Sequence, residues 1–358
     1  MSGSRHGTGR VNEFGFELEL CSHLERQREG IVARQLGGSV ADPGGRILDV
    51  VVVEPGPEFE NRPPLTAATI PDAALESDVG TGRARYWKSC FDCHPKRARR
   101  AVDRALEIGF FESERRNGRE YVRQVARYPD WYGGLLGIEN KPDLGRPGDL
   151  EAQLRLDVSL ALVDRVVLAT ESYVTRAHLN RIPDEVGVWR VHRRERDPSE
   201  TGTPADEAGQ RKGENALEPS AIDIEVIREP VRLSTHEAGI EPLECHPGRT
   251  DVAVVSPESK ARARRRIAER AYGKGWRTYD FPDCGRCVPL QSAGGTLPAC
   301  TWAGRIVDPG SECGRECPGY QPADGPMIDL FAERERETAW IERPADKRRR
   351  QSGLDRFG

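Results

Sequence analysis

The sequence predicts an α/β fold in which a mixed sheet is flanked by helices. Two observations support this prediction. Segments rich in β-branched residues alternate with segments of helical periodicity, and a strand–helix–strand order recurs in the second half of the chain. The chain has 358 residues, which exceeds one average domain, so we expect two or three structural units.

The composition excludes several classes of protein. The hydrophobic share of 37% is enough for a core, and the net charge of −4 argues against a protein that coats DNA by bulk charge. A local basic face remains compatible with that charge. No apolar run approaches the roughly 18 residues of a membrane helix, and the N-terminus lacks a signal region, so we expect a soluble, cytoplasmic protein without a membrane partner. Seven lysines against 47 arginines indicate a high-GC, halophilic source.

The first elements are a helix and a strand. Residues 13–26 carry apolar side chains at helical spacing, and residues 46–54 form a run of β-branched residues typical of a strand. Because strand side chains alternate between faces, we expect Asp49 to lie on the same apolar face as Val51 and Val53.

Residues 59–128 differ in composition and predict an inserted module. Helical stretches at 72–75 and 96–108 precede two short strands around Asn117-Gly118, a strong hairpin signal. Helices followed by a basic hairpin resemble a winged-helix module, which implies DNA contacts from the hairpin. A solvated hairpin surface is the alternative. The arginines that would contact DNA are Arg115, Arg116 and Arg119.

The second half continues the sheet. Alternating strands and helices imply right-handed crossovers and complete a core of residues 11–58 and 129–273. The charged segment 192–220 is expected to be a flexible insertion within that core. The predicted elements are strands at 134–141, 165–169, 186–191, 222–227 and 252–255, and helices at 149–163, 175–180 and 258–272.

Two acids and a lysine form the candidate catalytic group. An acid on a buried face is costly unless it is paired or binds a cation. Asp49 and Glu139, contributed by different strands, can offer oxygen ligands to Mg²⁺ (or Mn²⁺). Lys141, two residues after Glu139, can orient or deprotonate an attacking water and offset developing negative charge. A surface salt bridge between Glu139 and Lys141 is the alternative.

The order of these elements resembles the PD-(D/E)xK nuclease superfamily, also called restriction-endonuclease-like, and most closely its RecB-like branch. The resemblance lies in a helix with Glu17, a strand with Asp49, a strand with Glu139-Asn140-Lys141 and a helix with Gln153. It implies a nuclease-like sheet and Mg²⁺-dependent hydrolysis of DNA phosphodiesters in repair or replication.

The resemblance also implies a role for each site residue. Asp49 and Glu139 would hold the metal, Lys141 would serve the water, Glu17 or Glu19 would add a ligand, and Gln153 would contact the DNA backbone or an active-site water. A non-catalytic DNA-binding adaptor or regulator that retains the fold is the alternative function.

Residues 280–321 are rich in cysteine and predict a metal module. Tetrahedral Zn²⁺ requires four thiolates from two turns, and this segment offers the pairs Cys284–Cys287 and Cys313–Cys317. Cys300 is the fifth cysteine and the first to leave out. A [4Fe–4S] cluster is the alternative, because some RecB-like nucleases carry one near the C-terminus.

Residues 322–358 predict a disordered, charged tail. The pattern Gln351-x2-Leu354-x2-Phe357 resembles the peptide that binds the sliding clamp (PCNA-interacting motif). The resemblance implies that this peptide would tether the protein to the clamp and raise its effective concentration at DNA.

Overall fold

The computed structural model describes residues 12–338 except 28, 43, 195–220 and 293. It is a mixed α/β protein, as predicted. Its helices and strands are, in chain order, α1 (Glu13–Gln27), β1 (Ile31–Gly37), β2 (Ile47–Pro55), α2 (Asp72–Leu75), β3 (Arg85–Tyr86), α3 (Pro95–Glu107), β4 (Phe111–Arg116), β5 (Arg119–Gln124), β6 (Tyr132–Asn140), α4 (Leu150–Leu160), β7 (Arg165–Thr170), α5 (Arg176–Leu179), β8 (Gly187–Arg194), β9 (Ala221–Arg228), β10 (Gly239–His246), β11 (Arg249–Val255), α6 (Pro257–Lys274), β12 (Cys287–Gln291), β13 (Thr296–Cys300), β14 (Arg305–Ile306), α7 (Pro309–Glu312) and α8 (Leu330–Glu337).

A six-stranded mixed sheet forms the centre, in the order β1-β2-β6-β7-β8-β9. β1, β2 and β6 are antiparallel neighbours, β7 and β8 run parallel to β6, and β9 is antiparallel to β8. α4 connects β6 to the parallel strand β7, as a parallel pair requires. One face of the sheet packs against α4 and α6, and the other packs against α1 and the β12–β14 sheet.

The regular alternation predicted for β2 is wrong at its beginning. Val51 and Val53 lie in the core beside α4 and α6, but Leu48 joins the same core and Ile47 is 47% exposed. The cause lies in β1, where Gln35 has a left-handed φ of 55° between two residues that pair normally with β2. This kink in β1 lies opposite Asp49 of β2. Asp49 therefore lies at the position where the alternation of buried and exposed side chains along β2 is interrupted.

The C-terminal boundaries also differ from those predicted. α4 ends at Leu160 instead of residue 163, because Ala161 adopts a left-handed φ of 48°. The tail is not structureless from residue 322: α8 is helical, and its Glu333 accepts hydrogen bonds from Arg277 (3.0 Å) and the backbone of Thr296 (3.0 Å). The clamp-binding-like residues Gln351, Leu354 and Phe357 lie outside the described residues.

The inserted segment forms a second sheet in the order β3-β5-β4, with α2 and α3 packed against it. The predicted hairpin is confirmed: Asn117 (φ 50°) and Gly118 (φ 74°) are both left-handed, as a two-residue type I′ turn requires. A buried ion pair joins this segment to helix α6. Arg62 donates to both carboxylate oxygens of Glu269 on α6, at 2.9 and 2.8 Å.

None of the helices among the described residues has the length and apolarity needed to cross a bilayer.

Candidate active site

Asp49 and Glu139 come together at the end of the β2–β6 ladder. Val51 pairs with Gly137 and Val50 with Ile138, so the next position places Asp49 opposite Glu139. The regular pairing ends at Val50, and beyond it the Oδ2 atom of Asp49 accepts a hydrogen bond from the backbone N–H of Asn140 at 2.9 Å. Two predicted site residues therefore occupy facing positions on neighbouring strands.

The two carboxyl groups resist ionisation. Burial, followed by the charge of Asp49, raises the pKa of Glu139 to about 7. Burial also raises the pKa of Asp49 to about 6, against the lowering effect of the Asn140 backbone N–H and with a further rise from Glu17. Neighbouring like charges disfavour ionisation of both groups. A cation bound between them would stabilise their ionised forms.

A buried arginine holds one of these acids. Arg46 donates to Asp157 through Nε (2.9 Å) and Nη2 (2.6 Å), and the same Nη2 donates to Glu139 Oε2 at 2.7 Å. Neither Arg46 nor Asp157 was among the predicted site residues. Asp157 stands four residues, about one helical turn, after the candidate site residue Gln153 on α4, so an acid at that position was the available signal.

Of the two candidate acids on α1, Glu17 is the one near Asp49. Its carboxylate accepts hydrogen bonds from Arg34 Nε (2.5 Å) and Gln35 Nε2 (3.1 Å), and the left-handed backbone of Gln35 directs that amide toward α1. Glu19 instead pairs with Arg193 on β8, at 2.9 Å.

Lys141 follows β6 at the same end of the sheet, but its ammonium group is paired elsewhere. Its Nζ atom lies 3.1 Å from Glu13 Oε1, at the start of α1. Gln153 lies partly buried in the first turn of α4, and its side chain makes no hydrogen bond within the described part of the chain.

Asn140, between Glu139 and Lys141, has an unsatisfied side chain. The residue is 93% buried, yet neither its Oδ1 nor its Nδ2 has a hydrogen-bond partner among residues 12–338 as described. Buried amides are nearly always paired, so an unpaired one beside two acids marks a place where a polar ligand would be stabilised.

Residues 31–322 match a family model described as a family of unknown function, DUF5787. The chain belongs to the DUF5787 family. The matched range contains both facing acids and all five cysteines of the C-terminal segment. No curated protein matches the chain, and no solved structure matches it.

Within that matched range, the hairpin arginines are only partly available for an outside partner. Arg115 is exposed on β4, Arg116 pairs with Glu114, and Arg119 lies with its guanidinium carbon 5.6 Å from the ring centre of Tyr86. The hairpin surface is therefore basic at its tip and balanced by acids along its strands.

The five C-terminal cysteines of the matched range converge on one region. Burial and then the neighbouring thiols of Cys313, Cys300 and Cys284 raise the pKa of Cys287 to about 12. Burial, Cys300, Cys317 and Cys284 raise that of Cys313 to about 11. A separate group on the β10–β11 hairpin brings ligand atoms within 4.8 Å of one another: the exposed Glu244 and Asp251 and the half-buried His246.

Proposed function

We propose that this protein is a Mg²⁺-dependent nuclease that hydrolyses DNA phosphodiesters, in repair or replication. The observation that carries the proposal is the facing pair of Asp49 and Glu139, each with a raised pKa. The element order supports it: α1, three antiparallel strands, the crossover helix α4 and the parallel strand β7 follow the order in which the nuclease resemblance places its functional residues.

The donor set fits a hard divalent cation. Mg²⁺ prefers carboxylate oxygens and retains several waters, so it needs only one or two protein carboxylates. Within the described residues, hydrogen bonds engage one oxygen of Asp49 and one of Glu139. Asp49 and Glu139 would hold the ion, with Glu17 nearby, and the bound ion would lower the pKa of a coordinated water and neutralise phosphate charge.

The chain's own residues would position the DNA. Arg46 fixes the rotamer of Glu139, and the metal would have to share or displace that contact. The Lys141 ammonium group, released from the exposed Glu13, would lie near the phosphate and offset its charge. The unpaired amide of Asn140 and the side chain of Gln153 would supply further hydrogen bonds to a polar substrate.

A cleavage assay tests the proposal. Full-length protein would be incubated with supercoiled plasmid and with single-stranded DNA, in Mg²⁺, Mn²⁺ or EDTA. We expect Asp49→Asn, Glu139→Gln and Lys141→Met each to lower the cleavage rate by on the order of 100-fold. The matched control is Glu258→Gln, in the second Glu-x-Lys sequence at the start of α6, where the acid is exposed. Wild-type cleavage in Glu139→Gln would refute the assignment.

A specific observation favours a second candidate, a non-catalytic DNA-binding adaptor. The pairing of Glu139 with Arg46 and of Lys141 with Glu13 already satisfies two of the three proposed catalytic groups. In that case the inserted module, with its basic hairpin tip, would carry the DNA contacts. Equal DNA affinity in EDTA and in Mg²⁺, without cleavage in either, and a loss of affinity in Arg115→Ala would support the adaptor.

A further inference from the structure

Three of the C-terminal cysteines are gathered by the backbone of a single hairpin. Cys287 on β12 pairs directly with Cys300 on β13. Facing residues of antiparallel strands have Cβ atoms only about 4.5–5.5 Å apart. Cys284 lies one turn earlier, in a Cys-x2-Cys turn closed by a hydrogen bond from the Cys287 backbone N–H to the Cys284 carbonyl at 3.0 Å.

A backbone N–H group points at the sulfur of Cys300, which accepts a hydrogen bond from Ala303 at 3.5 Å. An amide directed at sulfur stabilises a thiolate, which is the form that binds metals.

A salt bridge brings the fourth cysteine to the hairpin. Arg305 on β14 pairs in register with Cys300, and its guanidinium group binds Glu312, with one N–O distance of 3.1 Å. Glu312 directly precedes Cys313, so this ion pair holds Cys313 beside the strand that carries Cys300. Cys317 lies four positions further along the chain, at the end of a turn in which its own backbone N–H donates to the Gly314 carbonyl at 3.0 Å.

We infer that Cys284, Cys287, Cys300 and Cys313 bind one Zn²⁺ and that Cys317 stays outside the site. This quartet replaces Cys317 by Cys300 in the set that spacing alone suggests. Four thiolates from two turns suit tetrahedral Zn²⁺.

Metal binding would require a small rearrangement of side chains. No three of these sulfurs lie within 4.8 Å of one another in the described structure. A Zn–S distance of about 2.3 Å implies sulfur–sulfur distances of about 3.8 Å in a tetrahedron. The thiols converge without reaching that spacing, so rotation about their χ1 angles must draw them inward around the ion.

The zinc would hold the first helix in place. Leu297 and Ile306 of this hairpin sheet pack in one core with Phe16 of α1. The backbone N–H of Gly294 donates to the side chain of Ser22 on α1, at 2.7 Å. Because α1 also carries Glu17, the metal module braces the helix that flanks the candidate active site.

Metal analysis of the full-length protein tests the inference independently of any nuclease activity. We expect one zinc per chain, retained in Cys317→Ala and lost in Cys300→Ala. A thiol-alkylation experiment on the wild-type protein avoids the risk that a variant fails to fold. The alkylated cysteine peptides would be compared with and without a zinc chelator. Chelation should make the four ligand cysteines newly reactive, whereas Cys317 should react equally in both states.

Two results would overturn the inference. One is a reversed pattern, in which Cys317 is protected by zinc and Cys300 is not. The other is brown protein containing iron and acid-labile sulfide in place of zinc. Zinc in the expected quartet, combined with inactive protein in the DNA assay, would sustain this inference and refute only the proposed nuclease.

Discussion

Replacing Glu139 by glutamine is expected to stabilise the protein relative to wild type increasingly as the pH rises from 5 to 8. The amide can still accept a hydrogen bond from Arg46, and it removes a buried charge that faces Asp49. Most substitutions of buried residues destabilise a protein, so a gain would distinguish an electrostatically unfavourable site residue from a structural one.

The pKa of Glu139 gives the size of the effect. It rises from 4.5 in the unfolded chain to about 7 in the native state, so the unfolded chain releases its proton at lower pH. The stability contributed by the protonated carboxyl group is complete below pH 4.5 and is lost as the pH rises through 7. Between pH 5 and 8 this loss amounts to roughly 2–3 kcal/mol, at 1.36 kcal/mol per pKa unit. The Glu139→Gln variant should not lose this stability as the pH rises.

Urea unfolding at pH 5, 6, 7 and 8, in EDTA, measures the effect. The difference in free energy of unfolding between Glu139→Gln and wild type should shift in favour of the variant as the pH rises. Glu151→Gln, an exposed residue on α4 paired with Arg155, is the matched control and should show no such trend. A pH-independent difference for Glu139→Gln would refute the electrostatic reasoning.

Three further outcomes follow from the same contacts. Arg46→Ala leaves Asp157 and Glu139 buried without their cation and should lower the free energy of unfolding by roughly 3–5 kcal/mol, measured in urea. Arg62→Ala breaks the fully buried pair with Glu269 at a similar cost, and limited proteolysis should then cleave the inserted module first. Mg²⁺ affinity measured by calorimetry should rise between pH 5.5 and 8 with proton release, because the ion competes with protons for the facing acids; affinity independent of pH would contradict their role as ligands.

Local signals in the sequence were sufficient for much of the fold. β-branched runs predicted β2 and β7, and Asn117-Gly118 predicted the hairpin, because both patterns depend on backbone preferences within a few residues. β1 was missed because its segment, IVARQLG, interrupts the apolar pattern with Arg34 and Gln35. β10 was also missed.

For the candidate site, too, the sequence predicted some features and only the tertiary structure decided others. The sequence by itself determined the mixed α/β class, most strand positions and the acids of neighbouring strands, since alternation and element order are properties of contiguous residues. Only the tertiary structure decided that Arg46 pairs with Glu139 and Asp157 and that Cys300 faces Cys287. Those partners stand 93, 111 and 13 positions apart in the chain, and no local preference encodes which distant side chain will satisfy a buried charge or thiol.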